Sequence, residues 1–351
     1  MPTYWVSIGI HSNNYLRPMN KPLEHRHAAH CETGVMSAML RYHGLEVSEP
    51  MAFGLASGLT YAYIPMVKIN GLPLIAYRIP PRMIIRALSR RIGGLKMAFQ
   101  KFRKPAQGEA ALDRLLDDGR IVGLQTSVFF LPYFPEDMRF HFNAHNLLVY
   151  GREGEAFQVS DPVFSHLVTV DRPSLNKARF AKGALAPKGL LYYPAEVPAE
   201  IDFKTVLPKA IRFTAKINGK RSPVPIAGAK GIQRVARNIR KLVDAEERYA
   251  HLYLGHIVRM QEEIGTGGGG FRFMYAAFLQ EAAEILASDQ LAEAADEMSS
   301  IGDEWRLFAL MCARKSKARY DDTFDSIADQ LDKIALREAE LFARLSVLES
   351  K

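Results

Sequence analysis

Apolar positions recur at helical spacing just after residue 31: Val35, Met36, Met39 and Leu40, with Gly44 as a stop. This predicts a helix whose first turn holds Cys31. Ser48 has the character of an N-cap, followed by Glu49 and Pro50 in a first turn. The next stretch, FGLASGLTYAYIP at 53–65, mixes small residues and aromatics without clean periodicity and is expected to be a loop. Residues 108–119 form an amphipathic helix closed by Gly119. Then the period changes. IVGLQTSVFFLPY from Ile121, HNLLVYG (145–151), AFQVSDP (156–162), HLVTVD (166–171) and GLLYYP (189–194) all read as strands. The pattern predicts N-terminal helices followed by a largely antiparallel sheet.

Near residue 195 the strands stop at the Pro-rich PAEVPAEID, and from about Asp202 onward the chain reads as helix. The expected division is 1–199 as an α+β domain and 200–351 as an all-α domain. No internal repeat is visible, and low complexity is confined to GTGGGG at 265–270.

Composition narrows the class. A chain of 351 residues with 48% hydrophobic and 24% charged residues is that of a folded globular protein. Two distant cysteines, Cys31 and Cys312, argue against a disulfide framework and for a reducing compartment. No signal peptide or membrane span is expected, so the cytoplasm is the expected location. The net charge of +8 favours acidic partners.

The densest chemistry is LEHRHAAHC, where His25, His27, His30 and Cys31 fall within seven positions. A nucleophilic cysteine needs a helix N-terminus or another source of positive potential, a base within reach, and a group that orients the base. Cys31 has the first. His145 opens one predicted strand and Asp161 closes the next, so a hairpin would bring them to the same end. Cysteine on a helix, histidine and aspartate on a sheet, in that chain order, is the layout of papain-like enzymes. The competing reading is metal. His25 and His30 have compatible spacing, but Cys31 beside His30 would point elsewhere on a regular helix, and no metal is expected. The backbone N–H of Cys31 is one expected oxyanion donor, and a histidine among His25, His27 and His30 is a candidate for another.

HCETGVMSAMLRYHGLEVSEPMAFGLASGL and NAHNLLVYGREGEAFQVSDP resemble the N-terminal domain of the butirosin biosynthesis protein H family. GTGGGGFRFMYAAFL and GDEWRLFA resemble the helical domain of unknown function that often follows it. The resemblance implies a papain-like fold related to cysteine peptidases that cleave bacteriocin leaders. It also implies a different reaction, because the founding member moves an aminoacyl group from an acyl carrier protein thioester to an aminoglycoside amine. By that analogy Cys31 takes the acyl group, His145 shuttles the proton, and Asp161 orients His145. An amine or hydroxyl then accepts the acyl group. Phosphopantetheine would arrive on the carrier, and no bound cofactor is expected. Thioester or peptide hydrolysis, and non-catalytic carrier binding, are the alternatives.

Further candidates follow from that expectation. Glu49, Ser57, Gly58 and Tyr61 are expected to line an acyl or phosphopantetheine pocket. Gly267, Gly268 and Gly269 with Arg272 either cradle its phosphate or form a plain connector. The basic run Lys209–Lys241 is a solvated helix face or a docking surface for an acidic carrier protein. It shows no nucleic-acid module. Trp305 and Phe308 are expected in the core, with Cys312 buried and inert.

Overall fold

A computed structural model describes residues 22–317 and 321–348. The N-terminal stretch in which no signal peptide is expected, residues 1–18, lies outside them. The chain runs α1 (Cys31–Tyr42), α2 (Glu49–Leu55), β1 (Leu59–Ile69), β2 (Leu72–Arg78), α3 (Met83–Arg91), β3 (Lys96–Gln100), α4 (Pro105–Asp117), β4 (Val122–Thr126), β5 (His145–Glu153), β6 (Ala156–Ser160), β7 (Val168–Asp171), α5 (Arg172–Arg179) and β8 (Leu191–Glu196). Helices follow: α6 (Phe203–Asn218), α7 (Gly228–Arg240), α8 (Glu247–Val258), α9 (Arg272–Leu286), α10 (Asp289–Ser316) and α11 (Phe324–Ser346). The architecture is α+β, with an antiparallel sheet and a helical C-terminal region. The cysteine sits on the helical layer and the histidine on the sheet, the papain-like division that the sequence predicts.

Six strands form one antiparallel sheet in the order β3-β8-β4-β5-β6-β7. Its register decides where the chemistry lies. Gln100 pairs with Leu191, Leu191 with Leu124, and Thr126 with His145. The last residues of β3 and β4 and the first of β8 and β5 therefore share one end. Ser160 closes β6 opposite Leu148, which brings Asp161 to that end too.

Residues 53–65, expected as a loop, are instead the end of α2 and the first half of β1. The first three residues of β1 are all buried, so the alternation that marks a half-solvated strand is missing. Its partner β2 follows across Asn70-Gly71, both at positive φ, the backbone of a two-residue hairpin turn.

Helix α1 is buried from Glu32 to Arg41 and packs on β5, α2 and α3. Ser37, inside it, is hydrogen-bonded on both sides. Ser37 donates to the Val47 carbonyl at 2.6 Å, and Arg41 donates to Ser37 at 2.8 Å. Gly34 sets how close α1 can come to the sheet, because a Cβ there would lie 2.8 Å from Pro162 Cβ and 2.6 Å from Ala28 Cβ.

One hydrophobic cluster joins α1, α2, β1, β2 and α3 to the C-terminal helices, running from Met36 and Phe53 through Tyr61 and Tyr77 to Trp305 and Phe342. A second lies on the other face of the sheet, where Leu112 of α4 and Leu175 of α5 cover Leu124, Leu147 and Val159. The core thus continues past residue 200, where the strands give way to helices. Among the described residues no helix is long and apolar enough to cross a membrane.

Candidate active site

Cys31 is the first residue of α1 and half-buried. His30 is the N-cap: its backbone is extended and its Nδ1 accepts from the Thr33 N–H. Beneath this turn the Glu49 carboxylate accepts from the backbone N–H of Ala29 at 3.0 Å and of His30 at 2.7 Å, and from the Thr33 hydroxyl at 3.1 Å. Burial raises the Glu49 carboxyl above its ordinary range, and these hydrogen bonds work against that rise. Glu49 is a brace that fixes the approach to Cys31.

His145 is buried, and its Nε2 lies 2.7 Å from Asp161 Oδ2. Asp161 is fully buried. It also accepts from the Tyr133 hydroxyl at 2.8 Å and, through Oδ1, from the Val163 N–H at 3.1 Å. Burial and the Asp161 charge hold the Tyr133 phenol well above its ordinary range, so it stays a donor. The Phe134 ring packs edge-on against His145 at 5.5 Å. Burial alone would lower the His145 pKa. The Asp161 carboxylate and its hydrogen bond outweigh that, a hydrogen bond with Cys31 adds to them, and the group is pushed up to about 10.

Asn146, one residue beyond His145, was not picked out from the sequence. Its Nδ2 lies 3.9 Å from Cys31 Sγ and donates to the Ala144 carbonyl at 3.1 Å. Its Oδ1 accepts from the Tyr192 hydroxyl at 3.0 Å. These two partners fix the amide so that its other N–H faces the sulfur. Tyr192 reaches Asn146 by lying over Gly123, where a Cβ would come within 2.2 Å of its ring. An Asn directly after the strand-opening His was the available signal, together with a Tyr two strands away in the sheet.

The remaining predicted residues separate. His25 is held on both ring nitrogens, by Ser160 Oγ at 2.8 Å and the Phe164 carbonyl at 3.0 Å, and so braces the Asp161 loop rather than donating to substrate. His27 is exposed. His30 is kept neutral, chiefly by burial and then by Arg78 and His145, and its Nε2 has no hydrogen-bond partner. Among the described residues no three metal-binding side chains gather.

The pocket candidates on β1 and before it belong to the core. Ser57 joins α2 to β1, donating to the Ala210 carbonyl at 3.1 Å. Gly58 packs under the Phe53 ring, and Tyr61 is buried between Tyr77 and Trp305.

The glycine loop does approach the nucleophile, since a Cβ on Gly267 would lie 3.3 Å from Ala29 Cβ. It does not offer an anion cradle. The Gly269 N–H already donates to the Glu262 carboxylate at 3.1 Å, and the Gly268 N–H to Thr266 Oγ1 at 3.1 Å. Arg272 is fully buried, paired with Glu338 at 2.8 Å and bonded to the Gly270 carbonyl at 2.8 Å. It anchors the loop and has no fork left for phosphate. Trp305 and Phe308 are core, as expected. Cys312 is fully buried, and burial pushes its thiol far up.

A solved structure described as a C39-like peptidase from Bacillus anthracis aligns with 50% of this chain and 94% of its own, at 14% identity and a TM-score of 0.35. No curated protein matches the chain. Residues 30–162 match the family model for butirosin biosynthesis protein H, N-terminal, and residues 173–345 match a domain of unknown function, DUF4872. The chain is therefore similar to the butirosin biosynthesis protein H N-terminal family through residues 30–162, with a region similar to the DUF4872 domain following it.

Proposed function

We propose that the protein is a cysteine-dependent acyltransferase that accepts an acyl group from an acyl carrier protein thioester and passes it to an amine or hydroxyl. The observation that carries this reading is the convergence of Cys31, His145, Asp161 and Asn146 at one end of the sheet. The similarity of residues 30–162 to the butirosin biosynthesis protein H N-terminal family supports a biosynthetic cysteine enzyme.

His145 is an imidazolium stabilised by Asp161, and the reacting form of Cys31 beside it is the thiolate. The sulfur attacks the thioester carbonyl carbon, and the carbonyl oxygen becomes an oxyanion beside Sγ. On this reading the Asn146 Nδ2–H and the Cys31 N–H at the start of α1 donate to it. Collapse breaks the bond to the donor sulfur, which takes the proton from His145. The acceptor N–H or O–H then attacks acyl-Cys31 and gives its proton to His145. The Cys31 thiolate leaves, which restores the reacting pair. One thioester is exchanged for another in the first half, so that half is nearly balanced in energy.

Incubation with an acyl-carrier thioester and a panel of amines should yield acylated amine with wild type and none with Cys31→Ala or His145→Ala. Asn146→Ala should retain the product but lose about 10²–10³ in rate, the usual cost of one oxyanion donor. Free acid formed at a rate indifferent to amine would replace transfer with hydrolysis. Unchanged turnover in Cys31→Ala would reject covalent chemistry.

A further inference from the structure

The sheet end that carries His145 also gathers cations from separate segments. Arg82 precedes α3, and its guanidinium donates to Gln125 Oε1 and to the Ala186 carbonyl at 3.0 Å. That ties it to the loop before β8. Arg86, one turn further along α3, lies over the Phe99 ring of β3 at 5.7 Å. Lys101 directly follows β3. Lys188 precedes β8, and its carbonyl accepts from the Phe102 N–H at 3.1 Å. Arg86, Lys101 and Lys188 are exposed and Arg82 is half-buried.

Four like charges at this site repel one another, and burial together with Arg82, Arg86 and Lys188 lowers the Lys101 pKa. The acidic charge acting on Arg82 is Glu32, which is buried beneath the start of α3 and engaged with Arg78 at 3.6 Å. Among the described residues none of the four forms an ion pair with a carboxylate. Some arginines elsewhere are matched: Arg172 by Glu109, Asp113 and Glu155, and Arg240 by Asp325, Asp329 and Asp332. Arg240 belongs to the basic run at 209–241, which is thus partly neutralised by its own chain.

We propose that Arg82, Arg86, Lys101 and Lys188 form the subsite for the phosphate of a phosphopantetheine-type donor arm whose sulfur is presented to Cys31. This rests on the acyl-carrier reading above and replaces the glycine loop and Arg272 as the phosphate site. The spacing agrees. β3 lies three strand steps from β5, so Lys101 stands about 14 Å from the start of β5 at about 4.8 Å per step. The extended arm has about thirteen bonds between phosphorus and sulfur, which span roughly 15 Å at about 3.5 Å per three bonds, as in a peptide chain. The sulfur can therefore reach Cys31 while the phosphate stays on the cationic rim.

The test measures binding of phosphopantetheine and of phosphate-free pantetheine to the full-length Cys31→Ala protein by calorimetry at low and at physiological salt. The expected result is that phosphopantetheine binds at least tenfold tighter. The preference should shrink with salt and fall to near one in the added pair Arg86→Gln and Lys101→Gln. The control pair Lys216→Gln and Lys220→Gln, exposed cations on and just beyond the end of α6, should leave it unchanged. Equal binding of the two arms, a preference that survives Arg86→Gln and Lys101→Gln, or an equal loss in the control pair would overturn the proposal. Because no turnover is involved, a failure of the transfer chemistry would leave this result standing, and the reverse also holds.

Discussion

At the scale of single residues, the account turns on the His145–Asp161 contact. The shift of His145 to about 10 is upward from 6.5, so its charge favours the folded state fully below about 6.5. That contribution fades as the pH rises through 10. Asp161 is the largest upward influence, while burial acts downward. Asp161→Asn should therefore move the His145 titration well below 10, followed by histidine-labelled NMR with the signal assigned from a His145→Gln spectrum. An inflection that stays near 10 would show that Asp161 is not what holds the proton. Both residues were legible in the sequence because each marks the end of a strand. Asn146 and Tyr133 were not. Nothing in the spacing of Asn146 shows that Tyr192, far along the chain, holds its amide toward the sulfur, and Tyr133 reaches Asp161 from an irregular loop. The histidine cluster misled for a related reason. Three imidazoles close in sequence face three different environments, and only the fold assigns them.

At the scale of elements, the spacing of apolar residues located α1 and α4, and short apolar runs located most strands, although α1 and β4 are buried almost throughout. The pattern failed on β1, which is buried at its start, and gave no reading of β2, although Asn70-Gly71 carried a hairpin signal. The glycine-rich loop before α9 has a phosphate-loop composition, yet the anion it meets is the chain's own Glu262. What fixes this loop is the buried pair of Arg272 and Glu338, with the Trp305 N–H also donating to Glu338 at 2.6 Å. Removing one partner leaves an uncompensated buried charge. Glu338→Ala should lower stability by about 3–5 kcal/mol in denaturant titration. Replacing both, Arg272→Met with Glu338→Leu, should recover most of that, less about 1–3 kcal/mol for the orphaned Trp305 N–H. If the double replacement is no better than the single one, the pair is not the cause.

At the scale of the whole molecule, the C-terminal helices complete the surroundings of the nucleophile. Phe271, at the start of α9, stacks on Phe53 at 5.0 Å and meets His30 edge-on at 5.4 Å. Ser48, the cap of α2, donates to Glu281 at 2.7 Å. The change from strand to helix near residue 200 was plain in the sequence. The continuity of the core across it was not, because hydrophobic pattern reports that a face is buried and not what buries it. A chain ending at residue 199 would expose Phe53, Tyr61 and Tyr77 to water, so it should aggregate or lack cooperative unfolding by calorimetry. A sharp, reversible transition in that fragment would contradict a shared core. The central claim is that Cys31 itself carries the acyl group between donor and acceptor. Intact-mass analysis after brief mixing with an acyl-carrier thioester, followed by peptide mapping, tests this most directly. The account predicts a one-acyl mass gain on the peptide containing Cys31, discharged by added amine and absent in Cys31→Ala. A folded wild-type protein that gains no mass from any of a range of acyl chains would contradict it.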